Sequence, residues 1–367
     1  MDLSHGRPKR VHIVRIMPNS RIAYLACTAA IVGAGLGAAP PAGHALHVVK
    51  PGESIQRAVD AAEPGDTVLV SLGTYHESVT VSTPGLTLRG MGRGTVVEPG
   101  TRKAAAGCAA DGNGICVTGT AGHPLTDVTV ASLTVSGFSH DGVHAAYTDR
   151  LTVRGVTAVR NGVWGIAQEQ SVRGTFRGNT ARDNGDAGLF LANSVAEEQG
   201  ATDTDGTVVE HNRLEGNRIG VTVRRLRDLT VAHNHLTGNC AGVFVVGDEN
   251  KPKAGALTVR DNQVVANNKS CPKTARLFAL QGSGIVLTGT EDTQVTGNEV
   301  RDNVGESPAS GGIVLLKSLV GATNDRNRIT GNHLEGNSPA DLVDTETGGA
   351  NTFQDNTCRA SRPAGLC

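Results

Sequence analysis

Large aromatic side chains are scarce: one Trp, three Tyr and six Phe stand among 367 residues. This excludes an interior built on packed rings, and the 48 Gly suit many turns and thin strands instead. An excess of charge is lacking too. With 34 basic against 35 acidic residues the formal charge is −1, so there is no electrostatic footprint for nucleic acid. No Met/His-rich tract and no His/Cys cluster with ligand spacing occurs, so spacing assigns no metal site. The longest apolar run, residues 22–36, is too short to read as a membrane span.

That run belongs to an expected export signal over residues 1–45. Arg7, Lys9, Arg10, Arg15 and Arg21 make a basic start, and Gly43-His-Ala45 supplies small residues for cleavage after Ala45. A membrane-anchored form is the alternative. Tyr24-Leu-Ala-Cys27 is a poor lipid-attachment signal. Removing the segment takes away five positive charges and Asp2, which moves the formal charge from −1 to −5. The sequence therefore predicts a secreted, mildly acidic mature chain, a monomer without a membrane span.

What the chain does have is repetition. Asn212-Arg-Leu-Glu-Gly-Asn217 is followed by Gly220-Val-Thr-Val, and Asn234-His-Leu-Thr-Gly-Asn239 by Gly242-Val-Phe-Val. The frame returns at Asn179/Asn184, Asn262/Asn267, Asn298/Asn303, Asn332/Asn337 and Asn351/Asn356. Its shortest interval, Asn212 to Asn234, is 22 residues. A unit that short cannot bury its own apolar edge, but stacked units can. Strands of successive coils then pair in parallel, about 4.8 Å apart. Equivalent Asn amides stack into ladders, and Asn also suits a left-handed turn.

These residues resemble the right-handed parallel β-helix of the pectin-lyase-like superfamily, over roughly residues 46–358. The resemblance implies an all-β, single-domain solenoid. That superfamily includes lyases, hydrolases, esterases, epimerases and non-catalytic proteins. Residues 46–100 are expected to hold an N-terminal cap and first coils. Within them, Ile55, Ala58, Val59 and Ala62 share one face of an amphipathic helix N-capped by Ser54. The stretch from Pro64-Gly-Asp66 to Glu77 looks like the superfamily's N-terminal signature, so Tyr75, His76 and Glu77 take a structural reading. Residues 101–358 are expected to be the repeats, with 101–126 an irregular loop and 359–367 a tail.

Six Cys remain after the signal, which in an exported chain favours disulfides, with fifteen pairings open. The repeat places Cys240 and Cys271 in one loop of adjacent coils. Cys108–Cys116 and Cys358–Cys367 are the local pairs that remain.

In this superfamily substrate usually lies along the Gly-Val-x-Val sheet. If Val143, Ile166, Leu189, Val221, Val243, Ile285 and Ile313 point inward, alternation turns His144, Ala167, Phe190, Thr222, Phe244, Val286 and Val314 outward. Two residues on stand Ala146, Glu169, Ala192, Arg224, Val246, Thr288 and Leu316. The early coils therefore offer His144, Glu169 and Arg224 as catalytic candidates. Asp141, Trp164, Asp186, Phe190 and Phe244 are candidate substrate contacts. An acidic-sugar lyase needs a base and a cation, which His144 and Arg224 supply. Glu169 or Asp186 is a candidate for hydrolytic chemistry or for Ca²⁺; no other cofactor is implied. Beside this stands the plain reading that outward Arg and Glu form solvated pairs, and that His140-Asp-Gly-Val-His144 merely begins a coil. The loop 268–283, with Leu277, Phe278 and Leu280, is expected to cover the apolar late half. The chain lacks the aspartate pairs of polygalacturonases, the Gln-Asp and Asp-x-x-Gly sites of pectinesterases and the Asp-Pro-His-Asp of mannuronan epimerases. The function read from the sequence is action on, or binding of, an extracellular polysaccharide, by lyase or hydrolase chemistry. The alternatives are a non-catalytic glycan-binding or envelope protein, and an assembly factor like the periplasmic β-helix proteins of metalloenzyme maturation.

Overall fold

The computed structural model describes residues 43–101, 106–275, 277–346 and 349–367. The expected export signal lies outside the described residues as far as position 42. Gly43–Cys367 is one unit.

Alternating apolar residues, broken every few positions by a turn, cannot make long strands. The chain instead lays down three short strands per coil, beginning with Thr67–Val70, Gly73–His76 and Val79–Val81. Each seeds a parallel sheet. The first sheet runs from Leu46–Val49 to Thr352–Gln354, the second from Gly73–His76 to His333–Glu335, and the third from Val79–Val81 to Ser361–Arg362. Each sheet turns one apolar column into a shared core, such as Val153, Phe176, Val209 and Val231 in the first. At the open end lies the helix Ile55–Ala61, with Ile55 and Val59 buried. Ser54 caps it and the Glu77 carboxylate accepts from the Ile55 and Gln56 amides, which gives Glu77 a structural role.

The asparagines form two columns. In one, each Nδ2 donates to the next Oδ1 from Asn179 through Asn212, Asn234, Asn262, Asn298 and Asn332 to Asn356, at 2.9–3.0 Å. The other runs from Asn161 through Asn184, Asn217, Asn239, Asn267, Asn303 and Asn337 to the Asp341 carboxylate, at 2.8–3.2 Å. The second amide hydrogen goes to a strand carbonyl, as from Asn239 to Leu214 at 3.0 Å. Every polar atom of these buried side chains thus has work within the ladder, as burial demands.

Four expectations need correction. The left-handed positions are the residues just before each Asn, among them His211 at φ 56°, His233 at 55° and Asp302 at 58°, while the Asn amides serve the ladder. Asn351/Asn356 is not the same rung pair as the others. Asn356 continues the first column, whereas Asn351 pairs with Asn327 one turn earlier in the coil. Within 101–126, Ile115–Thr118 is a regular third-sheet strand between Val79–Val81 and Val143–Ala146. The tail also joins that sheet through Ser361–Arg362.

The glycine of the repeat frame has a packing cause. A Cβ on Gly220 would lie 2.6 Å from the Gly242 carbonyl oxygen, and one on Gly242 would lie 2.7 Å from that of Gly284. Coils about 4.8 Å apart leave no room there for a side chain. All three disulfides form, with Cα–Cα distances of 5.8 Å for Cys108–Cys116, 6.1 Å for Cys240–Cys271 and 5.5 Å for Cys358–Cys367.

Candidate functional site

The third sheet keeps the register expected of it. His144, Ala167, Phe190, Thr222, Phe244, Val286 and Val314 are successive partners on its outer face. Glu169, Ala192, Arg224, Val246 and Thr288 are partners in the column beside it. What alternation could not show is that most of this face is roofed. Phe190, Phe244, Val286 and Val314 are buried in a second apolar cluster with Trp164, Leu280 and Leu316. The expected cover over the late half is present: Leu277 and Phe278 pack onto the cluster, and the Cys240–Cys271 disulfide pins their loop to the coil.

Between the sheet and its loops lies a cleft of about 1090 Å³. Its floor includes Trp164, Phe190, Thr222, Phe244 and Val246, and its walls come from loops around residues 195–198, 247–249, 269–278 and 316–320. Trp164 and Phe190 stack at 4.0 Å with their planes 7° apart. Trp164 donates its indole N–H to Asp186 Oδ2 at 3.1 Å, and Asp186 Oδ1 faces Arg218 Nε at 3.9 Å. Thr222 Oγ1 is buried in this floor without a hydrogen-bond partner.

Three arginines brace the walls. Arg218 donates to the carbonyls of Pro272 and Phe278 at 2.6 and 3.0 Å. Arg224 donates to the Ser194 carbonyl at 2.8 Å. Arg225 donates to the Glu197 carbonyl at 2.6 Å and pairs with Asp248. Burial lowers the Arg218 pKa from its ordinary value, against the pull of Asp186. A guanidinium satisfied by carbonyls keeps its charge, and with Arg224, Arg225, Lys269 and Lys317 it faces the carboxylates of Asp186, Glu198, Asp248 and Glu249 across the lining. Arg218, Arg225 and Asp248 went unread in the sequence, and Thr222 was read only as facing outward. Arg218 directly follows a column asparagine, a position where the repeat gives no reason for a long cation, and that was the available signal.

The catalytic candidates do not converge. His144 lies at the early end, outside the residues that line the cleft. Its Nδ1 meets Asp141 Oδ2 at 3.0 Å, while Asp141 Oδ1 meets His140 Nδ1 at 2.9 Å and accepts from the Trp164 amide at 3.2 Å. Asp141 has no exposed surface, so it positions His144 and Trp164 and does not reach a ligand. Phe244 is 1% exposed but lines the floor of the cleft. Burial pulls the His144 pKa down, but the hydrogen bond and charge of Asp141, with Glu169 and Asp111, outweigh it and raise the pKa above 6.5. With Nδ1–H on Asp141, the other nitrogen of the neutral ring is a base. Glu169 accepts from the Val195 amide at 2.9 Å. Glu169 and Arg224 therefore both grip the loop after Ala187–Ala192, which sequence alone could not reveal. Trp164, Asp186, Phe190 and Arg224 do line one cleft.

The chain is similar to two sequence families. Residues 106–270 match one described as "Right handed beta helix region", and residues 196–362 match one described as "Periplasmic copper-binding protein (NosD)". The second raises a copper test, which the residues fail. All six described cysteines are in disulfides, Met91 is the one described methionine and is exposed, and no group of three His, Cys, Asp or Glu among the described residues is placed to hold a metal. Copper sites draw on such soft or imidazole donors. The Ca²⁺ role considered for Glu169 or Asp186 also finds no cluster of carboxylates among the described residues.

No curated protein sequence matches the chain. Among solved structures, similarity extends to the A-module of mannuronan C-5 epimerase AlgE6 from Azotobacter vinelandii, with 21% identity and a TM-score of 0.59 over 84% of this chain and 90% of that one. It extends also to the DFA-IIIase of Arthrobacter chlorophenolicus A6 in complex with GF2, with 14% identity and a TM-score of 0.56 over 81% and 78%. An alginate lyase from Paenibacillus sp. str. FPU-7 shares 13% identity and a TM-score of 0.52 over 85% and 99%. By its fold, then, this chain is a right-handed parallel β-helix.

Proposed function

We propose that this is an exported protein that binds an extracellular polysaccharide along the outer face of its third sheet and acts on it by lyase or hydrolase chemistry. The observation that carries the reading is the cleft: a concave site with a Trp164–Phe190 floor, a cationic wall at Arg224 and a half-exposed Asp186 carboxylate. Aromatic faces take the apolar faces of sugar rings, and a few convergent polar groups fix their hydroxyls and carboxylates. The names of the structural neighbours, an epimerase of mannuronan and an alginate lyase among them, are in keeping with a saccharide ligand. Three disulfides favour an oxidising compartment. No helix among the described residues is long and apolar enough to cross a membrane. In this reading His144, held by Asp141 on an early coil outside the cleft lining, is the acid or base that a polymer extending beyond the cleft meets.

A second reading, non-catalytic glycan binding, is favoured by one observation: Glu169 and Arg224 are both committed to the loop they hold. A single screen separates the two. The protein is offered acidic and neutral polysaccharides while unsaturated ends are followed by absorbance and new ends by a reducing-sugar assay. The first reading expects turnover that His144→Ala reduces by about a hundredfold, the usual range for a general acid or base. Binding without turnover on any polymer selects the second reading. Neither binding nor turnover rejects both.

A further inference from the structure

Across the molecule, arginines on the outer faces of the coils are mostly matched. On the second sheet Arg213 holds Glu215 through two bonds of 2.7 and 3.0 Å, and Arg301 donates to Glu299 at 2.7 Å. The early coils of the same sheet break this habit. Arg93 and Arg160 are exposed and no carboxylate among the described residues pairs with either. Arg182 is paired with the neighbouring Asp183 at 3.1 Å. These three arginines border a groove of about 390 Å³ that also contains Thr134, Thr157 and Thr180.

The threonines are consecutive partners in register, so their hydroxyls rise along the groove by about 4.8 Å per coil. Thr134 donates to the Arg93 carbonyl at 2.9 Å, which ties the turn carrying Arg93 to the groove. Arg160 occupies a left-handed turn position at φ 54°, and its amide donates to the Arg182 carbonyl at 3.2 Å. Glu98 is the one carboxylate lining the groove. The result is a row of hydroxyls flanked by cations at several coil heights, with positive charge in excess. That is the complement of a stiff linear polymer carrying one anion per unit, where sugar hydroxyls meet Thr and carboxylates or sulfates meet guanidinium forks.

We infer that this face of the second sheet is a separate docking groove for a linear acidic glycan, distinct from the third-sheet cleft and independent of turnover there. Titration calorimetry tests it with polygalacturonate, dextran sulfate, neutral dextran and double-stranded DNA as probes. The parent is expected to bind polygalacturonate or dextran sulfate, with affinity falling as salt rises, and not to bind neutral dextran. The R93A/R160A/R182A variant should lose about tenfold or more, as loss of charge-assisted bonds implies. Its thermal melt should match the parent, because the groups removed are exposed. Arg213→Ala, which removes a paired arginine of the same sheet, should bind like the parent. Parent-like affinity in the triple variant overturns the inference, as does an equal loss in Arg213→Ala. Loss that follows the cleft variant Arg224→Ala instead moves the acidic glycan to the third sheet. DNA bound more tightly than either glycan overturns the choice of ligand.

Discussion

The turns between the sheets and the outer face of the third sheet are built by the same coils, yet obey different rules. At the turns, coil after coil repeats the same Asn and a left-handed backbone just before it, with a close glycine in the strand that follows. On the outer face of the early coils no two neighbours agree: His144, Ala167, Phe190, Thr222 and Phe244 succeed one another in a single column, and only the late coils repeat a residue, at Val286 and Val314. Repetition at the turns keeps buried amides satisfied at each rung, so variation there leaves a polar group stranded. The face carries no such constraint, and it is where loops, cations and a cleft have accumulated. In a solenoid the regular positions hold the coil, and the irregular ones are free for a ligand.

The comparison breaks most sharply if the turns prove tolerant. Asn239→Ala removes the link between Asn217 and Asn267 and strands their amide groups, so it should cost about 3 kcal/mol in a urea titration. A loss near zero would mean that the ladder is decoration.

A smaller effect is expected from the strap across the cleft. Replacing both Cys240 and Cys271 by Ala releases the loop that carries Leu277 and Phe278 and should lower stability by about 2 kcal/mol. Limited proteolysis should then cut first within 268–282. Cleavage that begins in the coils instead would show that the loop does not depend on the disulfide.

The early end of the face should respond to pH where the asparagine turns do not. The folded His144 pKa is raised, so the stability it contributes is complete below its unfolded pKa and disappears as pH rises through the folded value, above 6.5. Asp141→Asn removes the charge that raises it, and the stability–pH curve of that variant should flatten in this window. An unchanged slope would show that Asp141 does not govern the imidazole. Least affected of all should be Arg301→Ala, an exposed pair with Glu299, at under about 0.5 kcal/mol in the same urea titration.

The coils were legible because their constraints are local. Inward Val143, Ile166 and Leu189 fix the register, and register fixes which residues face outward. The same locality explains the slips. Asn327 and Asn332 repeat the five-residue spacing of Asn332 and Asn337, so spacing alone could not place Asn351 and Asn356 in the correct turn. Ile115–Thr118 was missed because the repeat frame is absent around it. At the site, the outward columns were readable but their partners were not. Glu169 and Arg224 looked like free chemistry until the loop after Ala192 folded back to meet them. Asp141 looked like a contact because sequence does not show that its carboxylate is shared by two imidazoles under cover. Long-range loop packing decides both, and no periodicity encodes it.

The central claim, that the ligand lies between the third sheet and its loops, is tested most directly by amide hydrogen exchange with and without the polysaccharide identified by the screen. Bound polymer should slow exchange in residues 195–198, 247–249 and 269–278, three of the loops that wall the cleft, and leave the asparagine turns of the late coils unchanged. Saturating polymer with no slowing in any of these three loops would contradict the account.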